Sequence, residues 1–147
     1  MIETIDDNNL NEVLPLIRKY MAFYNVTTID DNKNREFFSQ FGASSDKGCL
    51  FGYRVSGEIV AFATVYFSYA SSIISKVGIL NDLYTSEQYR RKGIASALIR
   101  HCEKYVRAKG AARLQWVTAA TNQEAQSVYN ALGANHSTWE IYTYTAS

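Results

Sequence analysis

The chain has 147 residues, with 15 Lys and Arg against 14 Asp and Glu, and is 47% apolar and 14% aromatic. Near-zero net charge excludes a polyanionic partner for the molecule as a whole. The length suits one domain over residues 1–147, able to bury about two thirds of its unfolded surface, and the lack of low-complexity tracts excludes extended disorder. The charge is unevenly spread: residues 1–87 hold 7 basic and 11 acidic side chains, residues 88–147 hold 8 and 3, and all eight of those basic residues lie between Arg90 and Arg113. No stretch approaches the roughly 18 apolar residues of a membrane span, and the acidic N-terminus lacks the basic start of a secretory signal. Cys49 and Cys102 have no metal-ligand spacing and make no disulfide framework, so a reducing, cytoplasmic setting without a metal is expected.

Met1–Ile5 reads as a short strand. Leu10, Val13, Leu14, Ile17, Tyr20, Met21 and Tyr24 recur at helical spacing, with Pro15 either opening or kinking that helix. Asn34–Phe41 reads as a second helix stopped by Gly42. Cys49–Val55 and Ile59–Ser68, joined at Ser56–Gly57, read as an antiparallel hairpin. Ile73–Thr85 is a long central strand. Ile94–Lys109 is an amphipathic helix with Ile94, Leu98, Cys102, Tyr105 and Val106 on its buried side, and Arg113–Thr118 is a short strand. Thr121-x-x-Glu124 matches a capping box opening a helix that Gly133 closes. Trp139–Thr145 is a final strand. The order is mixed α/β.

Arg90-Arg91-Lys92-Gly93-Ile94-Ala95 sits between a strand and a helix. A glycine there lets the backbone approach a ligand, successive N–H groups and the helix's first turn carry partial positive charge, and three cations surround them. That pattern is an anion cradle suited to a diphosphate, or else a solvated basic turn with a glycine cap. It is neither G-x-G-x-x-G nor G-x-x-x-x-G-K-[ST]. Asn122-x-x-Ala125-x-x-x-Tyr129 on the following helix puts an amide at the first turn and a phenol two turns on. A phenol of ordinary pKa, about 10, is protonated at neutral pH and can protonate a departing thiolate. The alternative is a capping Asn122 and a core Tyr129.

A strand ending Leu83-Tyr84-Thr85, then R-x-x-G-x-A, a strand, and N-x-x-A-x-x-x-Y together resemble the GNAT (Gcn5-related) N-acetyltransferase superfamily over essentially the whole chain. Residues 61–69, residues 80–85 and Trp139-x-x-Tyr142 are most similar to its diamine and thialysine acetyltransferase branch. The resemblance implies a mostly antiparallel, twisted central sheet of six to seven strands flanked by about four helices. It also implies acetyl-CoA as co-substrate, a small-molecule amine or amino acid as acceptor, direct transfer without an acyl-enzyme, and a homodimer. By the same resemblance Arg91, Lys92, Gly93, Ile94, Ala95 and Ser96, with Arg90 just before them, hold the diphosphate. Leu83, Tyr84 and Thr85 lie along the pantetheine arm where two strands splay at a bulge. Asn122, with Ala125 in the same motif, lies near the cofactor, and Tyr129 protonates the CoA sulfur.

One departure stands out. The polyamine branch has a glutamate at the position of Asn81 and an acidic residue at that of Tyr24, so both groups that would attract a polyamine are missing. Asp82 is then the nearest carboxylate able to take the amine's proton, although neighbouring strand residues face opposite ways unless a bulge re-aims it. Phe23, Tyr24, Asn81 and Trp139 are expected to border the acceptor. Protein or peptide N-acetylation and a catalytically silent acyl-CoA sensor are the competing readings. Nucleic-acid binding is disfavoured because the basic stretch lacks a base-stacking stripe.

Overall fold

The computed structural model describes residues 1–146, which divide into two compact units, Met1–Val117 and Thr118 onward. The first unit runs β1 (Ile2–Thr4), α1 (Leu10–Phe23), α2 (Asp31–Phe38), β2 (Gly48–Val55), β3 (Glu58–Ala70), β4 (Ser75–Thr85), α3 (Ile94–Ala108) and β5 (Leu114–Gln115). One sheet of order β1-β2-β3-β4-β5 results, antiparallel except for the β4–β5 pair. The second unit contains α4 (Gln123–Ala131).

Side-chain alternation along β2 and β3 explains why both faces of the sheet are covered. Leu50, Ile59 and Phe62 point to one face, where Val13, Leu14, Leu16 and Ile17 of α1 and Phe38 of α2 complete a buried cluster. Each such side chain contributes about 1.5–3 kcal/mol on burial. Pro15 lies inside α1, on its exposed side. The four buried residues of the stripe around it offset the roughly 3 kcal/mol that a mid-helix proline costs. On the opposite face Phe51 meets the rings of His101 and Tyr105 at 4.6 and 5.2 Å, and Leu98, Cys102 and Val106 of α3 are buried. His101 is therefore half-buried packing, and burial lowers its pKa. At Gly78 an added Cβ would stand 2.4 Å from a Val106 methyl, so α3 crosses β4 with no room for a side chain. Arg54 bonds Glu3 at 2.6 Å and Glu12 at 3.0 Å, pinning β1, β2 and α1 at the sheet's other end.

The differences from the sequence reading have local causes. α2 starts at Asp31 rather than Asn34, because the Asp30 carboxylate accepts from the N–H groups of Asn32 and Lys33 at 2.9 and 3.2 Å. The long central strand starts at Ser75, after a 3₁₀ turn over Ser71–Ile73 and a left-handed Ile74. β5 is only two residues long. α4 is capped by Asn122, whose amide oxygen accepts from Ala125 N–H at 3.2 Å, so the capping residue is one position later than Thr121. The described residues form five strands rather than six to seven: residues 134–146 carry neither helix nor strand. Trp139, Ile141, Tyr142 and Tyr144 are residue types common in strands but are 87–101% exposed. β-propensity alone does not make a strand, which forms only where a neighbouring edge accepts it. No helix among the described residues is long and apolar enough to cross a membrane.

Candidate active site

β4 changes character at Asn81. Thr64 pairs with Asp82 and Val65 with Leu80, so Asn81 is the extra residue of a β-bulge. In a regular strand Asn81 and Asp82 would face opposite ways; here Asn81 Nδ2 donates to Asp82 Oδ1 at 3.2 Å. The bulge puts Asp82 on the face covered by α1, in line with Thr64, Phe62 and Tyr84. Asp82 is 7% exposed, and Tyr20 on α1 and Tyr66 on β3 lie close enough to feel its charge. Burial, then the neighbouring carboxylate, raises both phenols well above their ordinary pKa. Both stay protonated at neutral pH. Tyr20 packs edge-on to Phe62, Tyr84 and Tyr24 at 5.6, 6.1 and 5.0 Å.

Beyond the bulge the strand loses its second neighbour. Among the described residues β5 pairs β4 only at Gly78 and Ile79, so the main chain from Leu80 to Thr85 offers a bare edge of the kind that an extended ligand pairs with. Arg90 Nε donates to the Thr85 carbonyl at 2.9 Å, and its guanidinium lies over Tyr84, 5.5 Å from the ring centroid. Arg90 therefore anchors the loop to the strand's end, a structural contact that its sequence position did not disclose.

The loop then turns through Arg91 (φ 63°) and Gly93 (φ 80°) into α3. Gly93 is the N-cap and supplies no side chain to cap the helix, and its carbonyl accepts from Ala97 N–H at 3.0 Å. The N–H groups of Ile94, Ala95 and Ser96 form the helix's first turn, and nothing lies within 4 Å of where a Gly93 Cβ would stand. Arg91 and Lys92 are exposed. Left-handed residues followed by an uncapped helix start make a concave array of donors suited to an anion. This array lies directly after the unpaired stretch of β4.

Among the remaining residues singled out, Phe23 and Tyr24 lie at the end of α1, 58% and 60% exposed. Asn122, Ala125 and Tyr129 lie in the second unit, all half-buried. Trp139 is also in that unit, and its indole N–H donates to Ser137 Oγ at 3.1 Å. Asn122 spends its amide oxygen on Ala125 N–H, which leaves its NH₂ as the group for an outside partner. On α3's face of the sheet, Cys49 and Cys102 are fully buried, and burial pushes their thiols up to about 11 and about 12. Neither is a nucleophile at neutral pH. Tyr20, Tyr66 and Thr64 were not on the sequence list of site residues. Tyr20 entered the sequence reading only through the apolar stripe of the first helix, and Tyr66 and Thr64 only within residues 61–69.

The profile of the Acetyltransferase (GNAT) family matches residues 14–134. The chain is 26% identical to an uncharacterized N-acetyltransferase, YhfO, of Bacillus subtilis, over 88% of this chain and 86% of that protein. It is 28% identical to a thialysine N-epsilon-acetyltransferase of Bos taurus, over 98% of this chain and 91% of that protein. A crystal structure of a probable acetyltransferase superposes with a TM-score of 0.86 at 26% identity, covering 100% of this chain and 98% of the other. The chain, with its bulged β4 and the glycine loop before α3, belongs to the acetyltransferase (GNAT) family, whose members are acetyl-CoA-dependent acyltransferases acting on amines.

Proposed function

We propose that the protein transfers the acetyl group of acetyl-CoA to the primary amine of a small molecule, an amine or amino acid, through a single acetyltransferase domain spanning 1–147. The observation that carries this reading is Asp82: a buried carboxylate, re-aimed by the Asn81 bulge and facing the aromatic side of α1, beside the bare edge of β4. Acetyl-CoA supplies a thioester open to direct attack by nitrogen. The donor loop from Arg91 to Ser96 binds its diphosphate, and the main chain of Leu83, Tyr84 and Thr85 pairs with its pantetheine arm. Asp82 takes a proton from the incoming ammonium, since only the neutral amine is nucleophilic. Tyr129 protonates the leaving sulfur, and Asn122 and Ala125 line the cofactor.

Phe23, Tyr24 and Trp139 offer aromatic surface to the acceptor, at about 0.5–2 kcal/mol per cation–π contact. One carboxylate with aromatic neighbours suits a monoammonium group or a lysine-like side chain better than a polyamine. The relative that acetylates thialysine, an amino acid, supports that class. The exposed apolar side chains Trp139, Ile141, Tyr142 and Tyr144 support a homodimer. The protein is assigned to the cytoplasm.

Thiol release from acetyl-CoA, measured across monoamines, amino acids, polyamines, aminoglycosides and lysine peptides, tests the reading. Turnover is expected with amino acids or monoamines and poor turnover with spermidine. Release with peptides alone would make this a protein acetyltransferase. Calorimetric acetyl-CoA binding with no release across the panel would make it a sensor.

A further inference from the structure

The register with β3 decides which main-chain groups of β4 face outward. Just past the strand, Ser86 N–H donates to the Val60 carbonyl at 2.8 Å. In an antiparallel pair the residues facing the neighbour recur every second position, so Tyr84 and Asp82 turn their N–H and C=O groups to Phe62 and Thr64 of β3. Those of Leu83 and Thr85 point the other way, to the edge that β5 does not reach. The bond from Arg90 Nε to the Thr85 carbonyl, at 2.9 Å, agrees with that direction.

The same bond removes a group from the edge. With the Thr85 carbonyl taken, the Leu83 carbonyl is the one outward acceptor left, among the described residues, between the bulge and the end of the strand. Arg90 is held in this place from two sides: it is half-buried, and its guanidinium lies over the Tyr84 ring at 5.5 Å. Arg91 and Lys92, by contrast, are exposed. A pantetheine arm carries two amides, each with one N–H and one C=O. Were both outward carbonyls open, an arm N–H could pair at either, in two registers about 7 Å apart along the strand.

We propose that Arg90 is a positioning residue that sets the register of acetyl-CoA on β4. By occupying the Thr85 carbonyl it leaves Leu83 as the carbonyl to which an arm amide donates, and so fixes how far the thioester lies from Asp82. The proposal rests on the reading that the arm pairs with this edge. The guanidinium then serves the protein's own main chain and not the diphosphate.

Two substitutions separate these roles. Glutamine places an N–H where Arg90 has Nε, at the same distance along the side chain but without charge, and methionine places a methyl there. Thiol release with the best acceptor of the amine panel is measured with acetyl-CoA and with S-acetylpantetheine, which has both amides and no diphosphate. Arg90→Met is expected to lower kcat about 3- to 10-fold with both donors, the preference that one hydrogen bond gives a register, with little change in the calorimetric Kd for CoA. Arg90→Gln should keep kcat near that of the parent protein. A loss confined to acetyl-CoA, shared by both variants and matched by weaker CoA binding, would make Arg90 a diphosphate ligand and overturn the proposal. Unchanged kcat in Arg90→Met would also overturn it and leave acetyl transfer standing. Should Arg90→Met fail to fold, Arg90→Gln decides, because a lowered kcat in that variant, with its thermal midpoint intact, removes the role of the N–H. Absence of thiol release by the parent protein with every acceptor would overturn the acetyl-transfer reading itself, and the role of Arg90 with it.

Discussion

The two halves of β4 are made of similar residues and serve different ends. From Ser75 to Leu80 the strand is structural: Gly78 and Ile79 pair with β5, and Val106 of α3 sits against Gly78 so closely that no Cβ fits. From Asp82 to Thr85 the strand keeps only β3 as a neighbour, carries a buried carboxylate, and runs into the Arg90–Gly93 loop. One extra residue, Asn81, divides them. A strand can thus be core in one half and binding surface in the other, without a change in composition that would announce it.

That division is open to direct challenge. The largest effect is expected from Gly93→Asp, which should abolish acetyl-CoA binding in calorimetry while leaving the thermal midpoint within a few degrees. Nothing crowds the site in the protein itself, so the loss arises from an anionic side chain in the donor array and from the positive φ that glycine tolerates. Unchanged affinity would remove the loop from the site. Tyr129→Phe comes next, lowering kcat by about 10²-fold with little change in acetyl-CoA affinity; an unaffected rate would return Tyr129 to packing.

In the structural half, Gly78→Ala should destabilise by about 1–3 kcal/mol through overpacking against Val106, read as a lower urea midpoint, with the dissociation constant for acetyl-CoA preserved. Equal loss of binding and stability would mean that the halves are not separable. The smallest effect is expected from iodoacetamide at pH 8. Burial holds the Cys49 and Cys102 thiols protonated up to about 11 and about 12, so reactivity is absent at pH 8 and appears only as pH climbs toward those values. Rapid inactivation at pH 8 would show that α3's face of the sheet is not closed.

The architecture was legible to the extent that it is periodic. The α1 stripe, the Ser56–Gly57 hairpin and the start of α3 at Ile94 all follow from spacing and from a glycine, because burial on one face leaves a repeating mark in the sequence. Asp30 as a cap and Asn81 as a bulge left no such mark, since each acts through a local hydrogen bond or an offset in register. The same holds for Asp82. Its identity was readable and its direction was not, because strand alternation predicts the opposite face until the extra residue is counted. Trp139–Thr145 shows the converse: aromatic and β-branched residues record what a segment is able to pair with, not whether an edge meets it.

The bulge makes the site a matter of counting rather than of chemistry. Every side chain of β4 beyond Asn81 is one step out of phase with those before it; deleting that residue would leave Asp82 opposite Thr64, whereas flattening the bulge so that Asn81 pairs with Thr64 would exchange the two faces of Asp82–Thr85. The carboxylate would turn toward α3 and the hydrocarbon of Leu83 toward Tyr20, with no functional residue altered. An offset of one, in a strand whose sequence otherwise reads as core, decides which face of the sheet carries the buried carboxylate.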